Sequence, residues 1–295
     1  METIIDKETA DRRPTLWQGV RSALPYLSGP SEPRHGQIVA SSLAGLRFWV
    51  YLPDAAETTA LPVLYHLHGA GMFWSWVRKD VLWLAREQEQ AVAAGLGSPQ
   101  VIIAPYDATK FSMWADHGDG RHHLERQVTR DLPRHVEATY NVLRGRENTH
   151  IQGFSMGGFG AATIGLKHQE QYGTITIFDG AMHDWETLRA GRPGIAKKQF
   201  LGDAQVFAKW SPWEWANRAD LSRTPIFIAE GLMATYNRTY RDHLRSLGAD
   251  VTYVITPCLH DLRGLLRTVG QRAFAFTANG GESAPDDRNI SDKAG

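Results

Sequence analysis

The stretch "THIQGFSMGGFGAAT", Thr149 to Thr163, decides the fold expected for this chain. It places Ser155 between Gly153 and Gly157, after a run typical of a strand and before small residues typical of a tightly packed helix. In a strand followed by Gly-x-Ser-x-Gly and a helix, the serine sits on a sharp, strained turn that exposes its hydroxyl above the sheet. The glycines give the backbone room to approach closely. We therefore predict that Ser155 is a nucleophile on such a turn.

Outward from this motif, short apolar runs alternate with longer helical patterns. This alternation predicts an α/β fold with a mostly parallel central sheet of at least six strands, flanked by helices. Apolar residues recur every fourth position from Leu124 to Val136 and predict a helix that Pro133 kinks. The predicted strands are Leu46–Pro53, Leu61–Gly69, Val101–Pro105, Asn148–Ser155, Gly173–Gly180, Thr224–Gly231 and Ala249–Pro257.

The chain length of 295 residues suits one main domain. We predict a single domain over residues 1–277 and a polar, disordered tail over 278–295. Residues 182–220 lack strand periodicity, and we interpret them as a tryptophan-containing insertion after the sixth strand. Its tryptophans are Trp185, Trp210, Trp213 and Trp215.

Composition restricts the classes of partner. Lys plus Arg and Asp plus Glu number 32 each, so the formal net charge is zero and nothing indicates binding to nucleic acid or an anionic membrane. The one cysteine, Cys258, excludes an intramolecular disulfide and fits a reducing compartment. The N-terminal residues lack the apolar region of a secretory signal, and no run reaches the length of a membrane span. These features predict a cytoplasmic protein with a small-molecule partner, and they leave homo-oligomerisation open.

A serine hydroxyl is a weak nucleophile and needs a base within hydrogen-bonding distance. His260 lies in "TPCLHDLRGL", just after the last predicted strand. In this type of fold the chain order is serine, acid, histidine, which disfavours the histidines that precede Ser155. His183 and His243 fall in the insertion and on a predicted helix. His260 is therefore the predicted general base.

The developing oxyanion needs backbone N–H donors. The residue after the nucleophile, Met156, supplies one, and the loop after the third strand supplies the other. That loop reads "HLHGAGMFW", His66 to Trp74, in which Ala70 is the predicted donor. The histidine-rich run 117–123 lacks the carboxylate and histidine spacing of a metal helix, so no metal site is predicted.

Several motifs together resemble the esterase D / antigen 85-like esterase family of the α/β-hydrolase superfamily. The resemblance spans most of residues 36–277 and implies hydrolysis of carboxylic esters or thioesters through an acyl-serine, without a cofactor. It also implies that Ser155 is the nucleophile, His260 the base, and Ala70 and Met156 the oxyanion donors. The motifs are "VYLP" (Val50–Pro53), "LHGAG" (Leu67–Gly71), "SMWADHGDG" (Ser112–Gly120), "GFSMGGFGA" (Gly153–Ala161) and "HDL" (His260–Leu262).

The sequence departs from this family at the acid of the triad. The family usually places that acid a few residues past the glycine that ends the seventh strand, but Gly231–Asn237 reads "GLMATYN" and contains no carboxylate. Two replacements stay open, Asp179 at the end of the preceding strand and Glu230 directly before the glycine. Asp261 adjoins His260 and is poorly placed to pair with it. The absence of any acid is the third alternative.

Tryptophans fall in segments expected to border the site. Trp74, Trp114 and Trp213 are the predicted substrate-binding residues, since an aromatic acyl or alcohol group would suit such walls. The alternative for each is packing in the core or in a lid.

Three functional hypotheses remain. The first is a serine hydrolase that cleaves a small ester or thioester through an acyl-serine. The second keeps Ser155 but transfers the acyl group or performs lyase or cyclase chemistry. The third is a ligand-binding protein with a degenerate triad.

Overall fold

The computed structural model describes residues 30–282, which form an eight-stranded sheet covered by helices on both faces. The strands are short and mostly buried on both sides, as expected for strands enclosed between helical layers. They are β1 Gly36–Leu43, β2 Leu46–Pro53, β3 Val63–Leu67, β4 Val101–Pro105, β5 Thr149–Phe154, β6 Thr174–Phe178, β7 Ile226–Glu230 and β8 Val251–Ile255.

The spatial strand order is β1-β2-β4-β3-β5-β6-β7-β8. The strands β3 to β8 run parallel to one another, which confirms the predicted parallel sheet of six strands. The run Leu46–Pro53 is a strand as predicted, but it pairs antiparallel to both β1 and β4. The strand β1 was not among the predicted ones, because its residues are half-exposed or exposed and carry little apolar signal.

Two helical layers enclose the sheet. Helices α1 and α9 pack together on one face, and the remaining helices lie in the apolar cluster of the other face. The helices are α1 Trp74–Ala93, α2 (in three parts, Leu124–Arg126, Gln127–Asp131 and Leu132–Thr139), α3 Met156–Lys167, α4 Trp185–Gly191, α5 Pro193–Phe200, α6 Ala204–Ala208, α7 Pro212–Ala216, α8 Ala234–Ser246 and α9 Leu262–Ala278.

The helix α2 departs from regular α-helical geometry one turn before Pro133, where the kink was expected. The middle part of α2, Gln127–Asp131, is π-helical, and Pro133 occupies an early position of the last part. A proline cannot donate to the carbonyl four residues before it, and a wide π-turn just ahead of it accommodates that loss.

The segment interpreted as an insertion contains α4 to α7. Its side chains Leu188, Phe200 and Phe207 are buried in the same apolar cluster as Phe159 of α3, so it packs directly over the sheet. Within residues 30–282, no helix is long and apolar enough to cross a membrane.

The predicted disordered tail begins too early in the chain. Helix α9 continues to Ala278, and a turn follows at residues 279–281. The rest of the predicted tail, 283–295, lies outside the described residues, as do residues 1–29, on which the signal-peptide reasoning depends.

Candidate active site

Ser155 stands on the turn between β5 and α3 with a φ of 56°, in the left-handed region that non-glycine residues seldom adopt. A Cβ on Gly157 would lie 1.8 Å from the carbonyl oxygen of Leu67, and one on Gly153 would lie 2.0 Å from that of Gly157. Neither position tolerates a side chain. The two glycines of the motif therefore permit the close approach of three backbone segments under the serine.

His260 bridges Ser155 and Asp179. Its Nε2 lies 2.8 Å from the Ser155 hydroxyl oxygen, and its Nδ1 lies 2.7 Å from Oδ2 of Asp179. A carboxylate can only accept, so Nδ1 carries the hydrogen and Nε2 is free to accept the serine proton. The Asp179 side chain is 0 % exposed and that of His260 is 31 % exposed, which places the acid in the interior and the base at the protein surface.

Backbone and side-chain donors surround the Asp179 carboxylate. It accepts hydrogen bonds from the amides of Gly231 and Met233 at 2.8 and 3.0 Å and from the Asn237 side chain at 3.3 Å. These bonds compensate for burial of the charge, and because all three reach Oδ1, they leave Oδ2 facing His260. The segment Gly231–Asn237, which lacks the carboxylate expected there, thus holds the carboxylate of the neighbouring strand. A single sequence carries no signal for this exchange of roles.

Glu230 does not take the position of the acid. It is buried at the end of β7 and pairs with Arg238 at 3.0 Å, and nothing in residues 30–282 links it to His260. Burial raises the pKa of the Glu230 carboxyl, and Arg238 partly offsets that shift. Asp261, disfavoured from the sequence, caps α9 through the amides of Arg263 and Gly264. The expectation that Glu230 serves as the acid is therefore wrong.

The loop after β3 borders the nucleophile. A Cβ at Gly69 would lie 3.4 Å from the Ser155 Cβ. The backbone N–H groups of Ala70 and Met156 form no hydrogen bond with any group in the described part of the chain. Two unused N–H groups beside Ser155 fit the requirements of an oxyanion hole.

His68 fixes the orientation of this loop, a role that the sequence reasoning missed. The buried ring donates from Nδ1 to the Gly69 carbonyl oxygen at 2.7 Å and accepts at Nε2 from the Asp107 amide at 3.0 Å. Burial lowers the pKa of His68, which keeps this neutral tautomer. The N–H of Ala70 belongs to the same trans peptide as the Gly69 carbonyl and points the opposite way. The hydrogen bond from His68 therefore turns that N–H away from the ring.

Trp114 is a structural residue, contrary to its predicted contact with substrate. Its side chain is 1 % exposed, and its indole N–H donates to the His68 carbonyl oxygen at 3.1 Å. A Cβ at Gly160 would lie 2.5 Å from the Trp114 Cβ, so the helix α3 packs directly on it. A ring enclosed in this way leaves no surface for a ligand.

Trp74 is also engaged elsewhere. Its ring stacks on Trp49 with centroids 4.4 Å apart, and the Arg47 guanidinium lies 4.7 Å from its centroid. These contacts occupy its faces, which argues against the predicted substrate wall.

Trp213 lies behind the segment that follows Asp179. Its indole N–H donates to the Met182 carbonyl oxygen at 3.3 Å, and its ring packs against Tyr240 at 5.0 Å. Its contact with substrate stays a prediction.

Four exposed apolar side chains occur on the loops that carry the site. Phe73 and Phe111 are each 50 % exposed, Leu232 is 59 % exposed and Leu259 is 54 % exposed. The first two lie on adjacent loops, since a Cβ at Gly71 would be 3.8 Å from the Phe111 ring. The other two directly follow Gly231 and precede His260. We call these four residues the apolar rim.

No group of three or more His, Cys, Asp or Glu side chains within residues 30–282 is arranged to hold a metal ion. The run His117 to His123 instead forms local contacts, such as the one between His117 Nδ1 and Asp119 at 2.6 Å.

Comparison with known proteins identifies the family of this chain. The sequence model of the family described as "Putative esterase" matches residues 44–240, from β2 to helix α8. The chain belongs to this family. The match contains Ser155 and Asp179 and ends before His260, which only the fold brings to the site.

Individual relatives agree with this assignment. An S-formylglutathione hydrolase of Paracoccus denitrificans is 29 % identical over an alignment of 182 residues, and the match covers 54 % of this chain and 59 % of that protein. The aligned region thus spans less than two thirds of that relative.

Two solved structures show the same fold. An S-formylglutathione hydrolase from Agrobacterium tumefaciens superposes with a TM-score of 0.67 at 17 % identity and covers 87 % of this chain and 99 % of its own. MPT51 of Mycobacterium tuberculosis superposes with a TM-score of 0.60 at 13 % identity, and the match covers 85 % of this chain and 100 % of MPT51. The resemblance to esterases of the α/β-hydrolase superfamily is confirmed.

Proposed function

We propose that this esterase-family chain is a serine hydrolase that cleaves a small carboxylic ester or thioester through an acyl-serine intermediate. The observation that carries the proposal is the continuous hydrogen-bonded path from Ser155 through His260 to Asp179, with separations of 2.8 and 2.7 Å. Because a buried carboxylate completes the path, the absence of the family's usual acid no longer favours the transferase, lyase or binding alternatives.

In this mechanism His260 accepts the Ser155 proton at Nε2 while the serine oxygen attacks the substrate carbonyl. The amides of Ala70 and Met156 receive the negative charge on the carbonyl oxygen. The protonated imidazole, stabilised by Asp179, then donates to the leaving alcohol or thiol. A water molecule deprotonated by the same histidine attacks the acyl-serine and releases the acid. The exposure of His260 gives this water access.

The substrate class follows from the partial exposure of His260 and from the apolar rim. A small acyl group with an apolar portion on the alcohol or thiol side fits this surface best. S-formylglutathione, for which the Paracoccus relative is named, is a thioester with a small acyl group, but its thiol portion is polar and charged, so it meets only the first of these two requirements. We further propose a cytoplasmic location and a small molecule as the only obligatory partner, with homo-oligomerisation left open.

The test is covalent labelling by a fluorophosphonate, read by intact mass. Wild type and Ser98→Ala, a control at an exposed serine, should each gain one label, and Ser155→Ala should gain none. His260→Ala should label far more slowly, because the hydroxyl loses its base. A folded wild type that stays unlabelled would remove the support for an activated serine.

Pre-steady-state kinetics separate hydrolysis from transfer. An activated aryl ester should give a burst of one alcohol per active site, followed by turnover that water alone sustains. If turnover instead requires an added alcohol or amine acceptor, the chain is an acyltransferase.

A further inference from the structure

A cavity of about 680 Å³ lies at the amino-terminal ends of the central strands, opposite the carboxyl ends that carry Ser155. It is lined by Val63 and Thr149, the first residues of β3 and β5, whereas Ser155 follows the last residue of β5. Six residues of strand separate the two places by roughly 20 Å. We call this space the basal cavity.

Two buried phenols line the basal cavity. Tyr65 and Tyr172 are 2 % and 0 % exposed, and their rings meet edge to face at 6.3 Å. The hydroxyl of Tyr172 has no hydrogen-bond partner within residues 30–282. Burial raises the pKa of both phenols, so they stay protonated donors. A buried, unused hydroxyl is costly, and a ligand in the cavity would satisfy it.

Three arginines of α2 line the wall at intervals of four residues. They are Arg126, Arg130 and Arg134, and all are exposed. The side chains of Arg126 and Arg134 form no ion pair within the described part of the chain, and Arg130 reaches only the adjacent Asp131 at 3.8 Å. Exposed arginine side chains without a close carboxylate partner are suited to bidentate recognition of carboxylate or phosphate.

Two of the four acidic side chains of the cavity have a cationic partner, and the other two lie near histidines. Glu125 is buried and binds Lys167 at 2.7 Å and His168 at 2.9 Å, and Glu137 binds Arg144 at 3.5 Å. Of the other two, Asp116 lies 3.8 Å from His123 and Glu170 lies 3.7 Å from His168. Four acids stand against five lysine and arginine side chains in the cavity lining, so the cavity keeps a net positive charge; the five are Arg126, Arg130, Arg134, Arg146 and Lys167.

We propose that the basal cavity binds a metabolite-sized anion bearing phosphate or carboxylate groups. One anionic group pairs with the wall of Arg126 and Arg134, and another ligand oxygen accepts the Tyr172 hydroxyl hydrogen. The cavity volume lies within the range of small-molecule sites. This site is separate from the catalytic cleft and does not depend on the proposed hydrolase activity.

Calorimetric titration of the full chain with inorganic pyrophosphate and with citrate tests the proposal. At least one probe should bind, and the one that binds shows whether phosphate or carboxylate is preferred. Arg126→Gln/Arg134→Gln should weaken binding at least ten-fold, and Tyr172→Phe, which removes only one oxygen, should weaken it about ten-fold.

The control double variant Arg86→Gln/Arg267→Gln removes the same charge from the opposite face of the sheet and should leave binding unchanged. Ser155→Ala should also bind as wild type does. Equal weakening in both double variants would overturn the proposal, because it would reveal a nonspecific charge effect. Loss of binding in Ser155→Ala, or no binding of either probe up to ~10 mM in folded protein, would overturn it as well.

Discussion

Asp179 and Glu230 are neighbouring buried carboxylates with different environments, and this contrast gives a prediction at single residues. Asp179→Asn should lower kcat by about 10⁴-fold, because an amide cannot stabilise the imidazolium and favours the wrong tautomer. Glu230→Gln should change kcat by less than ~3-fold, since Glu230 binds Arg238 and not His260. Steady-state kinetics on an aryl ester, with circular dichroism as the folding control, provides the measurement. Equal losses in the two variants would contradict the assignment.

His68 gives the second residue-scale prediction. His68→Leu should lower kcat by about 10²-fold with a smaller change in KM, because the Ala70 N–H loses its orientation and that N–H acts mainly on the transition state. Rates are to be normalised to active sites by burst titration.

The control is His66→Asn. His66 is also fully buried, but it lies on β3 and forms no hydrogen bond with the Gly69 carbonyl. It can lower stability, but it should leave kcat per active site near the wild-type value. A matching fall in kcat in His66→Asn would show that His68 acts only through general stability.

At the scale of elements, contact between helix α3 and Trp114 depends on Gly160. In an exposed helix, alanine in place of glycine is favourable by about 1 kcal/mol. Here the added Cβ would lie 2.5 Å from the Trp114 Cβ, so Gly160→Ala should instead lower the free energy of unfolding by about 1–3 kcal/mol. Urea denaturation measures this change through the transition midpoint.

Gly191→Ala is the matched control, because Gly191 ends the helix α4 and no atom of residues 30–282 lies within 4 Å of its Cβ position. This variant should be neutral or slightly stabilising. An unchanged free energy of unfolding in Gly160→Ala would contradict the prediction, because it would mean that α3 can move away from Trp114 at little cost.

The elements also show which features a single sequence determines. The central strand β6, TITIF, is rich in β-branched residues and was predicted from that pattern, whereas β5, THIQGF, was predicted from the Gly-x-Ser-x-Gly motif that follows it. The edge strand β1 is half-exposed and gave no such signal. The choice between Asp179 and Glu230 was also undetermined, since it depends on donors from a neighbouring loop. Trp114 illustrates the same limit, because residue type alone does not distinguish a tryptophan that contacts substrate from one that is buried in the core.

At the scale of the whole molecule, buried neutral histidines connect stability to pH. Burial lowers the pKa of His150 and of His183 from 6.5 to about 4. Since the pKa is lower in the folded state, the unfolded chain binds protons first as the pH falls below 6.5. Stability is therefore complete above pH 6.5 and declines down to about pH 4. At pH 5 each histidine should cost about 2 kcal/mol of the free energy of unfolding.

The comparison of wild type with His150→Asn isolates one of these contributions. His150 is 2 % exposed, and its Nδ1 forms a hydrogen bond with the Thr174 hydroxyl at 3.0 Å, so its removal deletes a titrating group from the interior. Between pH 7 and pH 5 the variant should lose about 2 kcal/mol less than wild type in urea denaturation, even if it is less stable at pH 7. His122→Asn, at an exposed loop position, should follow the wild-type pH dependence. If His150→Asn follows it too, His150 is protonated in the folded protein at pH 5, and the acid sensitivity has its origin in other groups.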